Sequence, residues 1–372
     1  MLPITTAKLN MGDRWSPWAL AAAVLVVLIV LVGCRKDDDS GVAATGSAPS
    51  GTPTTPAGEL PPPEATVTLG ATEPTDVPVA PSETEAPDPT VPQPTMAQQL
   101  PGPRTEVATL AIGGRERTWL LYVPSTLPPG PAALIIGLHG GFGSGEQFER
   151  TARFNEQAEA GRFLAAYPDG TGAFRTWNGG LCCGYAVREN VDDVAFIEAM
   201  VDTISAEYSV DPARVYATGH SNGGIMALRL ACESGRFRAV GAVAGSLEVP
   251  QCNPSRSVST LLIHGDADES HPLEGGRGPQ SVSSVDFTSV AASMAVLAPA
   301  MGCSGGSQDN VIGAITTTIW LGCPPGVVVE LQVVAGASHN WPGGVAGVIF
   351  GSDPSDELDA TAELWAFFDQ LQ

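Results

Sequence analysis

Positive charge is scarce in this chain: 18 Lys and Arg stand against 40 Asp and Glu, a formal net charge of −22. So little basic character excludes nucleic acid and an anionic lipid surface as partners, and the acidic excess serves mainly solubility. Histidine is scarcer, five in all, and no His or Cys pair has the spacing of a zinc site. No metal site is therefore expected. Between Ser40 and Pro103 basic residues are missing altogether, and Pro, Thr, Ala, Ser and Glu dominate. Such a composition cannot bury enough surface to offset the entropy of ordering, so the segment reads as a spacer reaching at most about 200 Å.

Long apolar runs are lacking too. Lys8 and Arg14 precede an apolar stretch, Ala19 to Val32, that is short for a membrane span and suits a secretory h-region. It closes on Leu31-Val32-Gly33-Cys34, which resembles the lipobox of bacterial lipoproteins and implies lipidation of Cys34. An ordinary signal peptide or an uncleaved anchor is the alternative, and the domain is exported in each case. The chain thus divides into a signal (1–34), a disordered linker (35–103) and one catalytic domain (104–372). Of seven cysteines six remain after Cys34, an even number that reads as disulfides in an exported chain. Cys303 and Cys323 flank an excursion before the last strand, Cys232 and Cys252 flank a strand, and the adjacent Cys182 and Cys183 are left over.

Against these absences one segment stands out, Asp211 to Gly224, DPARVYATGHSNGG. A short β-branched strand (Arg214 to Thr218) runs into Gly-His-Ser-Asn-Gly and then into a helix pattern from Asn222 to Glu233. A nucleophile elbow needs that context, because the serine must sit on a sharp corner with flanking positions free of side chains. Ser221 is the candidate nucleophile. A second Gly-x-Ser-x-Gly at Gly302 to Gly306, centred on Ser304, has neither the preceding strand nor the following helix.

Around the elbow, strands alternate with helices. A hairpin (Val107 to Ile112, Arg117 to Val123) opens the domain. Strands are predicted at Ala132 to Leu138, Phe163 to Tyr167, Ala239 to Ala244, Thr260 to His264 and Val327 to Val334. Helices are predicted at Glu146 to Ala160, Val194 to Tyr208 and Glu357 to Leu371. Uninterrupted apolar strands between helices imply an α/β fold with a mostly parallel central sheet covered on both faces, and a site at the carboxyl strand ends. Two of those ends carry His264-Gly-Asp-Ala-Asp268 and Ser338-His339, in the chain order Ser, Asp, His. A serine needs an imidazole to take its proton and a carboxylate to orient that imidazole. His339 and Asp268 suit those roles, with His271 and Asp266 as competitors. His139 and His264 read as turn braces, and His220, next to Ser221, should point elsewhere by the geometry of the corner. Oxyanion donors are expected from the N–H of Asn222 and from Gly141 or Phe142 in the loop His139 to Gly143.

Taken in order, LHGGFGS (Leu138 to Ser144), YPDG (Tyr167 to Gly170), WNGGLCCG (Trp177 to Gly184), VDDVAFI (Val191 to Ile197), GHSNGG (Gly219 to Gly224), HGDAD (His264 to Asp268) and HNWPGG (His339 to Gly344) make the domain similar to the polyhydroxybutyrate depolymerase and feruloyl esterase family, grouped with the family-one carbohydrate esterases. The resemblance implies an α/β-hydrolase fold, Ser221, Asp268 and His339 as triad, and ester hydrolysis through an acyl-enzyme without cofactor. Departures fall in the acid loop, which continues Glu269-Ser-His-Pro-Leu, and in the Ala-rich segment before Cys303. Trp177, Asn178 and Trp341 either line the cleft or serve as buried structure. A monomer is expected, acting on feruloyl or acetyl esters of plant polysaccharide. Hydroxyalkanoate oligomers, a peptide bond, or no reaction at all in a surface-binding lipoprotein are the alternatives.

Overall fold

The computed structural model describes residues 102–345 and 354–371. The signal, Cys34 and all of the linker but its last two residues lie outside them. Two long strands, β1 (Arg104–Ile112) and β2 (Arg115–Val123), form the opening hairpin. β3 (Ala132–Leu138) is buried along its whole length. Its alternate residues serve opposite faces, as a pleated strand covered on both sides requires: Leu134, Ile136 and Leu138 pack into one core, Ala133 and Ile135 into the other.

The predicted helix from Glu146 to Ala160 is two helices. Helix α1 (Gly145–Ala152) is capped by Ser144, whose side chain accepts from the Gln147 N–H, and α2 (Phe154–Gly161) starts after Arg153 adopts a left-handed conformation at φ 56°. The bend lets Phe148 and Phe154 both reach the core. Next come β4 (Leu164–Pro168), a short α3 (Gly184–Arg188) and α4 (Asp193–Glu207), which is capped by Asp192. The elbow strand β5 (Val210–His220) feeds α5 (Asn222–Glu233), followed by β6 (Ala239–Val243) and β7 (Ser259–Gly265).

Further elements have no counterpart in the sequence prediction or differ from it. α6 (Val290–Ala300) is built almost wholly of small apolar residues and carries no helical stripe to read. β8 (Ser307–Ile312) and β9 (Ile315–Trp320) form a hairpin that fills the excursion between Cys303 and Cys323. After β10 (Val329–Val334), the last helix α7 (Ala360–Asp369) starts later than predicted, because the Asp359 side chain caps it by accepting from Thr361 and Ala362.

The strands join one ten-stranded sheet in the order β1-β2-β4-β3-β5-β6-β7-β10-β9-β8. From β4 through β10 every pairing is parallel, and antiparallel hairpins extend both sides. Helices α4, α5 and α6 cover one face with Phe196, Met200, Met226, Leu230 and Met294. On the other face α1, α2 and α7 bring Phe148, Phe154, Leu364 and Phe368. Each such side chain contributes about 1.5–3 kcal/mol by leaving water. Disulfides join Cys182 to Cys183, Cys232 to Cys252 and Cys303 to Cys323.

Candidate active site

Ser221 sits between β5 and α5 at φ 54°, ψ −121°, a strained conformation that the elbow imposes. Glycines make the corner possible. A Cβ on Gly219 would stand 2.5 Å from the Gly223 carbonyl, and one on Gly223 would collide with the Leu138 carbonyl of β3. β7 and β10 are parallel neighbours, so the loops leaving their carboxyl ends emerge side by side. One loop carries Asp268, the other His339.

These loops meet at the serine. His339 Nε2 lies 2.9 Å from Ser221 Oγ, and His339 Nδ1 lies 2.7 Å from Asp268 Oδ2. The other Asp268 oxygen accepts from the backbone N–H groups of Ser270 and His271 at 2.9 and 2.7 Å. Burial pushes the Asp268 carboxyl upward, yet the His339 hydrogen bond and charge, with those backbone donors, hold it below the usual value. The carboxylate therefore stays ionised. Asp266 points away and accepts from the Gly336 N–H. Ser304 lies in a turn bonded to Gly322, remote from these loops in the chain.

The other imidazoles are engaged elsewhere. His139 Nε2 accepts from the Gly170 N–H, so its Nδ1 donates to the Gly140 carbonyl. Burial lowers its pKa to about 4. His264 donates to the His271 carbonyl, and burial also keeps it neutral. His220 packs 4.9 Å from the His339 ring, and burial, helped by the His339 charge, lowers its pKa to about 3. The His271 ring meets Ser246 instead of Ser221.

The oxyanion candidates need one correction. Phe142 is at φ 67°, and its N–H is spent on the carbonyls of Phe174 and Arg175 at 3.0 and 3.2 Å. It cannot serve as a donor, which leaves Gly141 for that loop. Asn222 opens α5, where a backbone N–H has no intrahelical partner. Its side chain is clamped to the Trp177 backbone, accepting at 2.7 Å and donating at 3.1 Å.

Of the two roles open to Trp177, Asn178 and Trp341, the buried one is found. Trp177 is fully buried and donates through Nε1 to the His139 carbonyl. Asn178 is buried, donates to the Val191 carbonyl and receives the Gly180 N–H. Trp341 packs edge-on to Phe148 and Phe154 and donates to Thr361. None of the three lines the cavity beside Ser221. A bulky aromatic finds its largest stabilisation in the core, and its N–H was satisfied there.

Two residues without an expected role anchor this assembly. Arg117 of β2 pairs with Asp193 at 2.8 Å, both buried, and the second Asp193 oxygen accepts from the Asn178 N–H. Burial opposes both charges, raising the Asp193 carboxyl and lowering the Arg117 guanidinium, and their pairing offsets this in part. Arg117 also stacks over Phe196 at 3.8 Å. The doubled aspartate of VDDVAFI was the available signal: its first member caps α4 and its second holds Arg117.

A cavity of about 300 Å³ opens beside Ser221. It is lined by Gly140 to Gly143, by Ile225, and by His271, Val285 and Phe287 of the acid loop, with Ile225, Phe287 and Val285 packed together. Sequence spacing gives no hint that the acid loop, continuing past Asp268 and His271, returns to line the cavity through Gln280 to Phe287. Among the described residues no cluster of three or more His, Cys, Asp or Glu is arranged to hold a metal ion.

The chain is similar to several known proteins. The model of the prolyl oligopeptidase family (Peptidase_S9) matches residues 187–255. "Putative esterase NocK" of Nocardia uniformis subsp. tsuyamanensis is 32% identical over 301 residues, 72% of this chain and 84% of that protein. Feruloyl esterase C of Emericella nidulans is 36% identical over 168 residues, 44% of this chain and 59% of the esterase. The match thus spans less than two thirds of that feruloyl esterase. Among solved structures, an acetyl xylan esterase from Aspergillus awamori aligns with a TM-score of 0.47 at 15% identity, over 63% of this chain and 94% of its own. With its parallel sheet, its serine elbow and its similarity across most of NocK, the chain belongs to the α/β-hydrolase esterase family and is a carboxylic ester hydrolase.

Proposed function

We propose that this chain is an exported, lipid-anchored serine esterase that releases feruloyl or acetyl groups from plant polysaccharide through an acyl-enzyme. The observation that carries the reading is the continuous relay from Ser221 through His339 to Asp268 beside a largely apolar cavity. Ser221 Oγ attacks the ester carbonyl while His339 Nε2 takes its proton, and the oxyanion is received by the N–H groups of Asn222 and Gly141. The alcohol leaves with the proton returned by His339. Water, deprotonated by the same nitrogen, then hydrolyses the acyl-serine. Asp268 remains a carboxylate throughout and stabilises the imidazolium.

For the substrate, the feruloyl esterase relatives and the cavity walls of Phe142, Ile225, Val285 and Phe287 favour an aryl acyl group. Trp177 and Trp341 are core residues and offer no stacking surface to a sugar. The deciding experiment is a panel of methyl ferulate, acetylated xylan and hydroxybutyrate oligomers. Either of the first two is expected to show the highest kcat/KM, and a clear preference for the oligomer would overturn the choice while leaving the relay standing.

Export is supported by the three disulfides, which persist in oxidising compartments. Labelled fatty acid should enter the protein at Cys34, and Cys34→Ser should release it or stall its processing. Wild-type protein cleaved after another residue and free of label would refute the anchor.

A further inference from the structure

The acid loop beyond Asp268 holds a buried imidazole that the reaction above does not use. His271 is 1% exposed, and its ring stacks on Phe287 with centroids 3.9 Å apart, both residues lining the cavity beside Ser221. Its backbone is fixed from two sides: the N–H donates to Asp268 and the carbonyl accepts from His264. The ring is therefore held in register with the catalytic relay.

Its protonation follows from its neighbours. Glu248 Oε1 accepts the Thr288 N–H at 2.8 Å and stands 2.6 Å from Ser246 Oγ. An oxygen already accepting from an amide takes the serine proton as well, so Ser246 Oγ is spent as a donor. At 2.7 Å from His271 Nε2, that oxygen can only accept, and the Nε2 must carry the hydrogen. A neutral imidazole has one donor and one acceptor, which makes Nδ1 a bare lone pair. Burial, together with the nearby histidines, keeps the ring from gaining a second proton. No described residue donates to Nδ1, and it is not among the side-chain atoms sealed from solvent without a partner, so it stays open on the cavity that the ring lines.

We propose that His271 Nδ1 is a specificity determinant that accepts a hydrogen bond from a hydroxyl on the acyl group of the bound ester. The inference rests on the reading above that the alcohol half is a polymer, since a cavity of about 300 Å³ then admits only the acyl half. Phe287, Ile225 and Val285 around His271 favour a hydroxyaryl body, and a hydroxyalkanoyl chain would present the same donor.

The test uses the full-length protein and two pairs of methyl esters: 4-hydroxycinnamate against 4-methoxycinnamate, and 3-hydroxybutyrate against butyrate. The hydroxyl member of the aryl pair is expected to have a kcat/KM at least about fivefold higher, mostly through KM. His271→Leu should bring that ratio to about one. His271→Asn, whose amide oxygen can stand where Nδ1 does, should restore part of it. Preference for the hydroxyl in the alkanoate pair alone supports the acceptor while overturning the aryl substrate reading. Indifference to the hydroxyl in both pairs, or an unchanged ratio in His271→Leu, overturns the proposal. Should the leucine variant fail to fold, the wild-type ratios and the asparagine variant still decide.

Discussion

At Ser221 the difference between an inert hydroxyl and a nucleophile is one hydrogen bond, and only His339 of the five histidines makes it. The other four are buried and bonded or packed elsewhere, so none can replace it. Ser221→Ala and His339→Ala are accordingly expected to lower esterase turnover by at least about a thousandfold with the fold retained, the oxyanion donors supplying the residual rate. Near-normal turnover in either folded variant would remove the assignment. Asp268→Asn should cost far more activity than Asp266→Asn, because only Asp268 touches His339, while Asp266 secures the turn at Gly336. Steady-state kinetics on p-nitrophenyl acetate read both comparisons.

At the level of elements, the oxyanion loop is rigid because other segments are tied to it in series. Arg117 on β2 holds Asp193 at the start of α4, Asp193 holds the Asn178 N–H, and Trp177 next to it bonds both the His139 carbonyl and the Asn222 side chain. The YPDG turn adds two further ties, Asp169 to the Gly145 N–H and the Gly170 N–H to His139. Arg117→Met should strand the Asp193 carboxylate in the core and destabilise the protein by about 3–5 kcal/mol. A double change, Arg117→Met with Asp193→Leu, should recover part of that loss. Denaturant unfolding measures both. A stability loss below about 1 kcal/mol in Arg117→Met would show that the pair is not structurally coupled to the loop.

For the whole molecule, the buried neutral imidazoles set the response to acid. His139, His220, His264 and His271 all have pKa values lowered chiefly by burial, to about 4 and about 3 in the first two. An unfolded histidine titrates near 6.5. Below that pH the unfolded chain binds protons that the folded one refuses, so stability is full above about 6.5 and is lost as pH falls toward the folded values. Asp268, also lowered, adds its loss further down, below its ordinary 3.8. The melting temperature should therefore fall steadily between pH 7 and pH 5, where surface carboxylates have barely begun to titrate. A flat or rising melting temperature over that interval would contradict this account.

The sequence by itself determined the parallel sheet and the place of the nucleophile. β3, β4 and β6 are apolar runs that only a doubly covered sheet can bury, and glycines at 219 and 223 are needed wherever a strand turns this sharply into a helix. Chain order and strand ends pointed to Asp268 and His339 but left Asp266 and His271 as competitors, which only the hydrogen bonds of the folded loops separate. Local pattern failed where the deciding partner lies far along the chain. Arg153 breaks a helix that periodicity would continue, because Phe148 and Phe154 must both face the same core. The Phe142 N–H looks available until Phe174 and Arg175 occupy it, and Trp177 and Trp341 look like cleft residues until their N–H groups are met inside. The cavity wall from Gln280 to Phe287 leaves no mark in composition or spacing. It exists only because the loop after β7 is pinned at Asp268 and His271 and at the Gly276–Phe287 bridge, and such long-range closure is decided by packing.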